Sequence, residues 1–307
     1  MFGLINLNKP VGFTSHDCIA KLRKLLKTKK IGHGGTLDPT ATGVLPVAVG
    51  KATKLLQFLP EPKVYRALIR LGVTTTTDDL AGEIIKSVTE FNLTKSQIID
   101  SLNNFVGTIE QVPPIYSAIK QNGRKLYELA RKGEKITVEP RSVTISKIEL
   151  LNIYQTDFYE LEIDVYCSPG TYIRAIARDL GANLGVGGTL ANLVRTKSCG
   201  MQLKDSVTFE EIENQLQLQT FSLIEPSVIL NHLDSVILAD DDCQRWCQGQ
   251  LIDLSQAQIN SSVSVLNQNN YVATYAATGT FVGISLLIER NDTLKIKPKI
   301  VLNSNNN

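Results

Sequence analysis

Apolar residues recur along this chain with two different periods, and these separate strands from helices. In Tyr65-Arg66-Ala67-Leu68-Ile69-Arg70-Leu71, residues Tyr65, Ala67, Ile69 and Leu71 share one face and both arginines take the other. Tyr65 therefore points toward an apolar interior at the start of a strand, where a pocket can open. The same alternation runs through residues 159–167, where Leu161, Ile163, Val165 and Cys167 point together, and a further strand is expected over residues 142–153. Helical spacing takes over elsewhere. Cys18, Ile19, Leu22, Leu25 and Leu26 form one stripe, on a helix capped by Thr14 or Ser15. Thr94-Lys95-Ser96-Gln97 is a capping box before Ile98, Ile99 and Leu102. After Pro169-Gly170-Thr171, residues Ile173, Ile176, Ala177, Leu180 and Leu184 mark another helix, and a short one near residues 209–216 is capped by Thr208. Beyond Ser235 the pattern changes to short strands with turns: GQLIDL, YVATYAATGTFVGISLLI and LKIKPKIVL. Strands with fewer, interspersed helices predict an α+β fold, with a large mixed sheet carrying a site in its central cleft.

Neither period holds over residues 32–46, GHGGTLDPTATGVLP. Glycines permit close approach of backbone, and Pro39 fixes its own φ while turning Asp38 away from helical geometry. The whole stretch is expected to be irregular, with Asp38 held among small uncharged neighbours. An Asp-Pro pair can simply start a turn. A phosphate loop would need a Lys-Ser/Thr pair after its last glycine, and a dinucleotide fingerprint needs G-x-G-x-x-G opening a helix; neither is present.

The loop resembles the signature of the TruB family, the bacterial tRNA pseudouridine synthases that modify uridine 55 in the TΨC loop. Four more segments agree, in family order. GLINLNKPVGFTSHD opens the chain with Lys9-Pro10, and Lys63-Val64-Tyr65-Arg66 begins the Tyr-bearing strand. VPPIYSAIKQNGRKLYELARKG is similar to the family's thumb-like RNA-binding insertion, and CSPGTYIRAIARDLG carries Arg174 where the family has its arginine. Together they span residues 1–201.

The resemblance implies a pseudouridine synthase catalytic domain over residues 1–204, with the thumb at about residues 112–140. An acidic linker with a short helix (205–234), a PUA-like RNA-binding domain (235–302) and a disordered tail (303–307) would follow. It implies that Asp38 is the catalytic carboxylate, as nucleophile or as base on the sugar. Arg174 would be its partly buried ion-pair partner, Tyr65 the platform on which an extruded base stacks, and His33 the group inserted into the RNA loop. Lys9 and Leu193 would complete the substrate contacts. The implied reaction detaches uracil from C1′, rotates it and rejoins it through C5. No cofactor and no metal are expected. His16, His33 and His232 are scattered, and no second His or Cys is near His33 in sequence.

Charge refines this. The net charge of +2 is too small to signal nucleic-acid binding by itself. Lys21, Arg23, Lys24, Lys27, Lys29 and Lys30 nevertheless cluster just before the loop, where they suit phosphate contacts. Lys120, Arg124, Lys125, Arg131, Lys132 and Lys135 form a second strip in the thumb, with Tyr116 and Tyr127 interleaved and a short helix expected over residues 125–131. The thumb is expected to be mobile until RNA orders it. Arg178 is expected to be solvated. Lys295, Lys297 and Lys299 should share a face of the last strand, and residues 267–270 should form a loop.

Five dispersed cysteines fit reduced thiols in a cytoplasmic protein. There is no signal peptide and no apolar run long enough to span a membrane. A monomer acting on tRNA without a protein partner is expected. Two rivals remain: a non-catalytic RNA-binding or tRNA-folding protein, and a synthase of the same fold acting on another RNA. A chain that starts almost at its first motif and ends in an asparagine tail favours the stand-alone tRNA enzyme. A glycosidase would need a second acid.

Overall fold

The computed structural model describes residues 2–117, 119–121, 123–130, 132, 137–254, 271–290 and 293–302. The chain opens with β1 (Gly3–Lys9), α1 (Ser15–Leu25), a short β2 (Ile31–His33) and β3 (Thr42–Val49). After a 3-10 segment come β4 (Lys63–Leu71), the hairpin β5 (Val73–Thr75) and β6 (Ile84–Ser87), α2 (Lys95–Asn103) and β7 (Gly107–Gln111). The thumb region contains a two-residue hairpin, β8 (Lys120–Gln121) with β9 (Arg124–Lys125), leading into α3 (Leu126–Ala130). Then follow β10 (Arg141–Gln155), β11 (Tyr159–Cys167), α4 (Ile173–Asn183), β12 (Gly188–Ser198) and β13 (Met201–Gln202).

The central path of the large sheet runs β1-β3-β12-β4-β11-β10-β7. Its pairings are antiparallel except between β3 and β12, so the sheet is mixed as expected. The alternation in β4 works as the pattern predicts. Tyr65, Ala67, Ile69 and Leu71 are buried against Ile173, Ile176, Ala177 and Leu180 of α4. Each buried Ile or Leu among them contributes about 1.5–3 kcal/mol of burial. The opposite face carries the pairs Arg66–Asp164 and Arg70–Glu160.

All three expected caps form. Thr14 with Asp17, Thr94 with Gln97, and Thr208 with Glu211 each make a capping box, typically worth about 1 kcal/mol. Ile99 differs from expectation: it is exposed, because the narrow buried stripe of α2 consists of Ile98, Ser101 and Leu102. The stretch 32–46 is less irregular than expected. Gly32 and His33 lie in β2, and residues 42–46 lie in β3, leaving 34–41 as the true loop. Small residues, and a proline facing Asn6 across β1, are tolerated there because the pairing carries the strand.

The acidic segment after β13 holds α5 (Phe209–Gln217) and α6 (Pro226–Ile229), and it is packed rather than a free connection. Val207 exchanges backbone hydrogen bonds with Asn6 and Asn8, and Ile224 with Leu4, so this segment covers the edge of β1. Phe209 and Ile212 are buried among Ile19 and Leu22 of α1. No helix among the described residues is long and apolar enough to cross a membrane.

A second sheet follows: β14 (Ser235–Leu238), α7 (Asp240–Cys247), β15 (Ile252–Asp253), β16 (Tyr271–Ala276), β17 (Phe281–Arg290) and β18 (Thr293–Val301). Its order is β14-β16-β17-β18-β15. Trp246 is fully buried and donates to Ser285 Oγ at 2.9 Å. Gly283 is required beside it, since a Cβ there would meet Ile300 O at 1.9 Å. Ala273, Ile284 and Leu302 share a core with Leu4, Ala48 and Leu55, so the two sheets are joined by packing. Residues 131, 133–136, 267–270 and 303–307 lie outside the described residues, as do the Lys125 and Tyr127 side chains.

Candidate active site

The loop of residues 34–41 is held from below by two buried cations. Lys9, with no exposed surface, donates from Nζ to the carbonyls of Pro10 (2.9 Å), Phe13 (2.7 Å) and Pro39 (3.4 Å). Arg195, equally buried, donates to the carbonyls of Val44 (2.8 Å), Thr36 (3.3 Å) and Gly35 (3.1 Å). Ser15 Oγ accepts from the Leu37 amide at 2.9 Å, and the Ala41 amide donates to Asp38 O at 3.1 Å, closing a turn. Leu37 and Ala41 anchor the loop in the core. Gly43 has φ +99, and a Cβ there would lie 2.3 Å from Arg195 O, so only glycine lets β3 meet β12 at this point.

This frame presents Asp38 at the mouth of a cleft of about 720 Å³. Asp38 Oδ2 is 2.9 Å from Arg174 Nη2; the arginine side chain is 7% exposed and the aspartate 40%. Arg174 also faces Asp79 Oδ2 at 3.6 Å and donates to the carbonyls of Thr77 and Tyr116. Asp79 in turn accepts from the Thr77 hydroxyl (2.6 Å) and the Ala81 amide (3.0 Å). One guanidinium thus ties the loop, the turn of residues 77–81 and the base of the thumb together. An ionised carboxylate with an arginine partner and open access to a cleft can act on a bound substrate as nucleophile or base.

Tyr65 and Leu193 lie on the cleft wall with Asp38, Lys63, Tyr116 and Tyr172. The Tyr65 ring is 7% exposed, 6.0 Å from the Arg195 guanidinium carbon, and burial raises its hydroxyl pKa. His33 sits in β2, its Nδ1 accepting from the Gly35 amide at 3.4 Å. Burial, then the neighbours His16 and Arg195, lower its pKa, so the imidazole is neutral at pH 7. Two expected site residues, Lys9 and His33, do not line the cleft: Lys9 lies beneath the loop and positions it, and His33 stands behind His16, which does line it.

Several groups carry no clear sequence signal. Arg195 and Asp79 belong to a bulged strand and a turn. His16 is brought by α1 to 5.7 Å from His33, ring edge to ring face, although the two are far apart in sequence. Arg178 is not simply solvated: it pairs with Asp78 at 3.0 Å and Asp179 at 2.7 Å and donates to Val112 O. In the basic cluster along α1 and the turn after it, Lys21 pairs with Glu213 and Arg23 donates to Ile31 O, whereas Lys24, Lys27, Lys29 and Lys30 stay exposed.

Comparison with known proteins converges on one group. Residues 23–173 match the model of the TruB family pseudouridylate synthase N-terminal domain, and residues 174–241 that of the tRNA pseudouridylate synthase B C-terminal domain. A tRNA pseudouridine synthase B from Gloeothece citriformis is 52% identical over 98% of this chain and 97% of its own. One from Synechocystis is 45% identical over 99% of this chain and 100% of its own. A chain of a Cbf5-Nop10-Gar1 complex superposes with TM-score 0.70 at 28% identity, covering 94% of this chain and 78% of that one. A chain of an H/ACA RNP bound to a substrate RNA containing 2′-deoxyuridine gives TM-score 0.72 at 26% identity, covering 98% and 84%. The second sheet fits a PUA-like fold.

Proposed function

The chain belongs to the TruB pseudouridylate synthase family, whose work is to make pseudouridine in tRNA, and we propose that its target is uridine 55 of the TΨC loop. The observation that carries this is the Asp38–Arg174 pair at 2.9 Å, at the mouth of a cleft walled by Tyr65 and Leu193. A base stacked in an RNA loop must be extruded to reach such a cleft. His33 fills the vacated place with a flat, neutral ring. The extruded uracil stacks on Tyr65, a contact worth about 1–3 kcal/mol, and Leu193 gives it an apolar neighbour.

Asp38 then acts on the sugar. It attacks C1′, displacing uracil, and is itself displaced when C5 bonds there; or it takes the proton from C2′ as uracil leaves and returns it as C5 bonds to C1′, with uracil turning in between. The hydrogen on C5 leaves and N1 regains a proton. Arg174 holds and aims the carboxylate, while Lys9 and Arg195 fix the loop. Residues 1–204 form the catalytic unit, residues 205–234 pack onto it, and residues 235–302 add RNA contacts. The enzyme acts alone, as a monomer in the cytoplasm.

Tritium release from tRNA carrying 5-tritiated uridine tests this reading, with wild type beside Asp38→Asn. Release near one equivalent per tRNA, absent in the variant while tRNA binding persists, is expected. Tight binding without release by wild type would instead mean a binding or folding role, or another RNA substrate.

A further inference from the structure

Lys63 is a cleft-lining cation that the catalytic scheme above leaves without a task. It begins β4, two residues before Tyr65 and on the same face. Its Nζ lies 3.3 Å, and Arg195 Nη1 3.6 Å, from the point a Cβ on Gly35 would occupy. Gly35 has φ +137 and no side chain, so that point stays open between two positive charges.

Among the described residues neither charge is matched by a carboxylate. Arg195 spends its donors on the carbonyls of Gly35, Thr36 and Val44. The ion pairs of the cleft among the described residues run through Arg174, and Lys63 joins none of them. Cys167 is a neighbour, but burial pushes its thiol up to about 11, so it is uncharged at neutral pH. Glu61 is the weakest of the influences on Lys63, while burial and then Arg195 lower its pKa. A desolvated ammonium without a counter-charge is unfavourable unless a ligand supplies one.

We infer that Lys63, over the gap left by Gly35, is the seat of one phosphodiester of the substrate RNA, at or next to the nucleotide whose base stacks on Tyr65. This rests on the proposed isomerisation. Same-face neighbours on a strand are about 7 Å apart, a spacing that suits a pyrimidine ring on one residue and a backbone phosphate on the other. Phosphate is the anion that every RNA brings, and Lys serves it as a point charge.

The test uses the full-length enzyme and synthetic T-arm hairpins carrying 5-tritiated uridine. One hairpin is fully charged; two others have a neutral methylphosphonate on the 5′ or the 3′ side of the target. Wild type should lose about ten- to hundred-fold in kcat/KM on one of the two neutral hairpins. Lys63→Gln should lose a similar factor on the charged hairpin and little more on that neutral one, and Lys63→Arg should recover part of it. Thermal melts identify a variant that has failed to fold, in which case Lys63→Arg and the wild-type hairpin series decide. Equal losses on neutral and charged hairpins, with and without Lys63, would overturn the inference. No release by wild type from the charged hairpin or from whole tRNA would instead defeat the proposed function.

Discussion

On the outer face of β4, Arg66 meets both carboxylate oxygens of Asp164 at 2.9 Å, and Arg70 pairs with Glu160 while lying 3.5 Å from the centre of the Phe158 ring. On the cleft face of the same strand, Lys63 has no such carboxylate partner among the described residues, and the nearby Arg195 donates to three carbonyls and lies beside Tyr65. The strand therefore neutralises its solvated side and leaves its cleft side positive. Arg174, across the cleft, is paired, but its partner Asp38 remains 40% exposed and available to a substrate.

This contrast can be broken in three places. Arg174→Met should have the largest effect, leaving Asp38 and Asp79 without their shared cation. Removing one partner of a buried pair is worth 3–5 kcal/mol, and the exposure of Asp38 places this one near the lower end. Single-turnover tritium release should fall about a hundred-fold, and an unchanged rate would separate Asp38 from the chemistry. Arg195→Met should come next. It strips donors from three carbonyls, and with about 1–3 kcal/mol for each buried acceptor left unmade, the midpoint of thermal unfolding should drop clearly. Arg195→Lys should recover little, because an ammonium cannot span that fork of acceptors. Asp164→Asn should be smallest, within about 1 kcal/mol and fading with added salt. A large effect in urea titration would make the outer face more than a solvated surface.

How far the sequence foretold this depends on regularity. Period-two spacing assigned both faces of β4, and the capping residues Thr14, Thr94 and Thr208 located three helix starts, because those signals are local. The Asp38–Arg174 pairing came from family likeness, since nothing in spacing joins residues so far apart. Arg195 was illegible for a definite reason. β12 has bulges between Leu190 and Asn192 and again between Arg195 and Lys197, so alternation along it cannot assign a face. The loop was predicted too long because glycine and threonine read as breakers, whereas pairing of β2 with β3 makes them strand. Asp79 sits in a turn held by β12 through the Leu80 amide and Leu190 O, a contact between distant segments. In residues 205–234 the helix near 209–216 was legible, whereas its packing was not: Phe209 and Ile212 bury against α1, a contact between distant segments.

The clamp of Arg195 on the loop of residues 34–41 also bears on how the molecule is born. Its three bonds close intervals of 151, 159 and 160 residues, so the loop's own framework is completed by a segment made long after it. Contacts of such high order form late, after much chain entropy has been surrendered. A growing chain that has emitted Asp38 but not yet β12 lacks its clamp, even once Arg174 has been made. The loop that presents Asp38 is therefore shaped last, by a strand that leaves the ribosome about 150 residues after it.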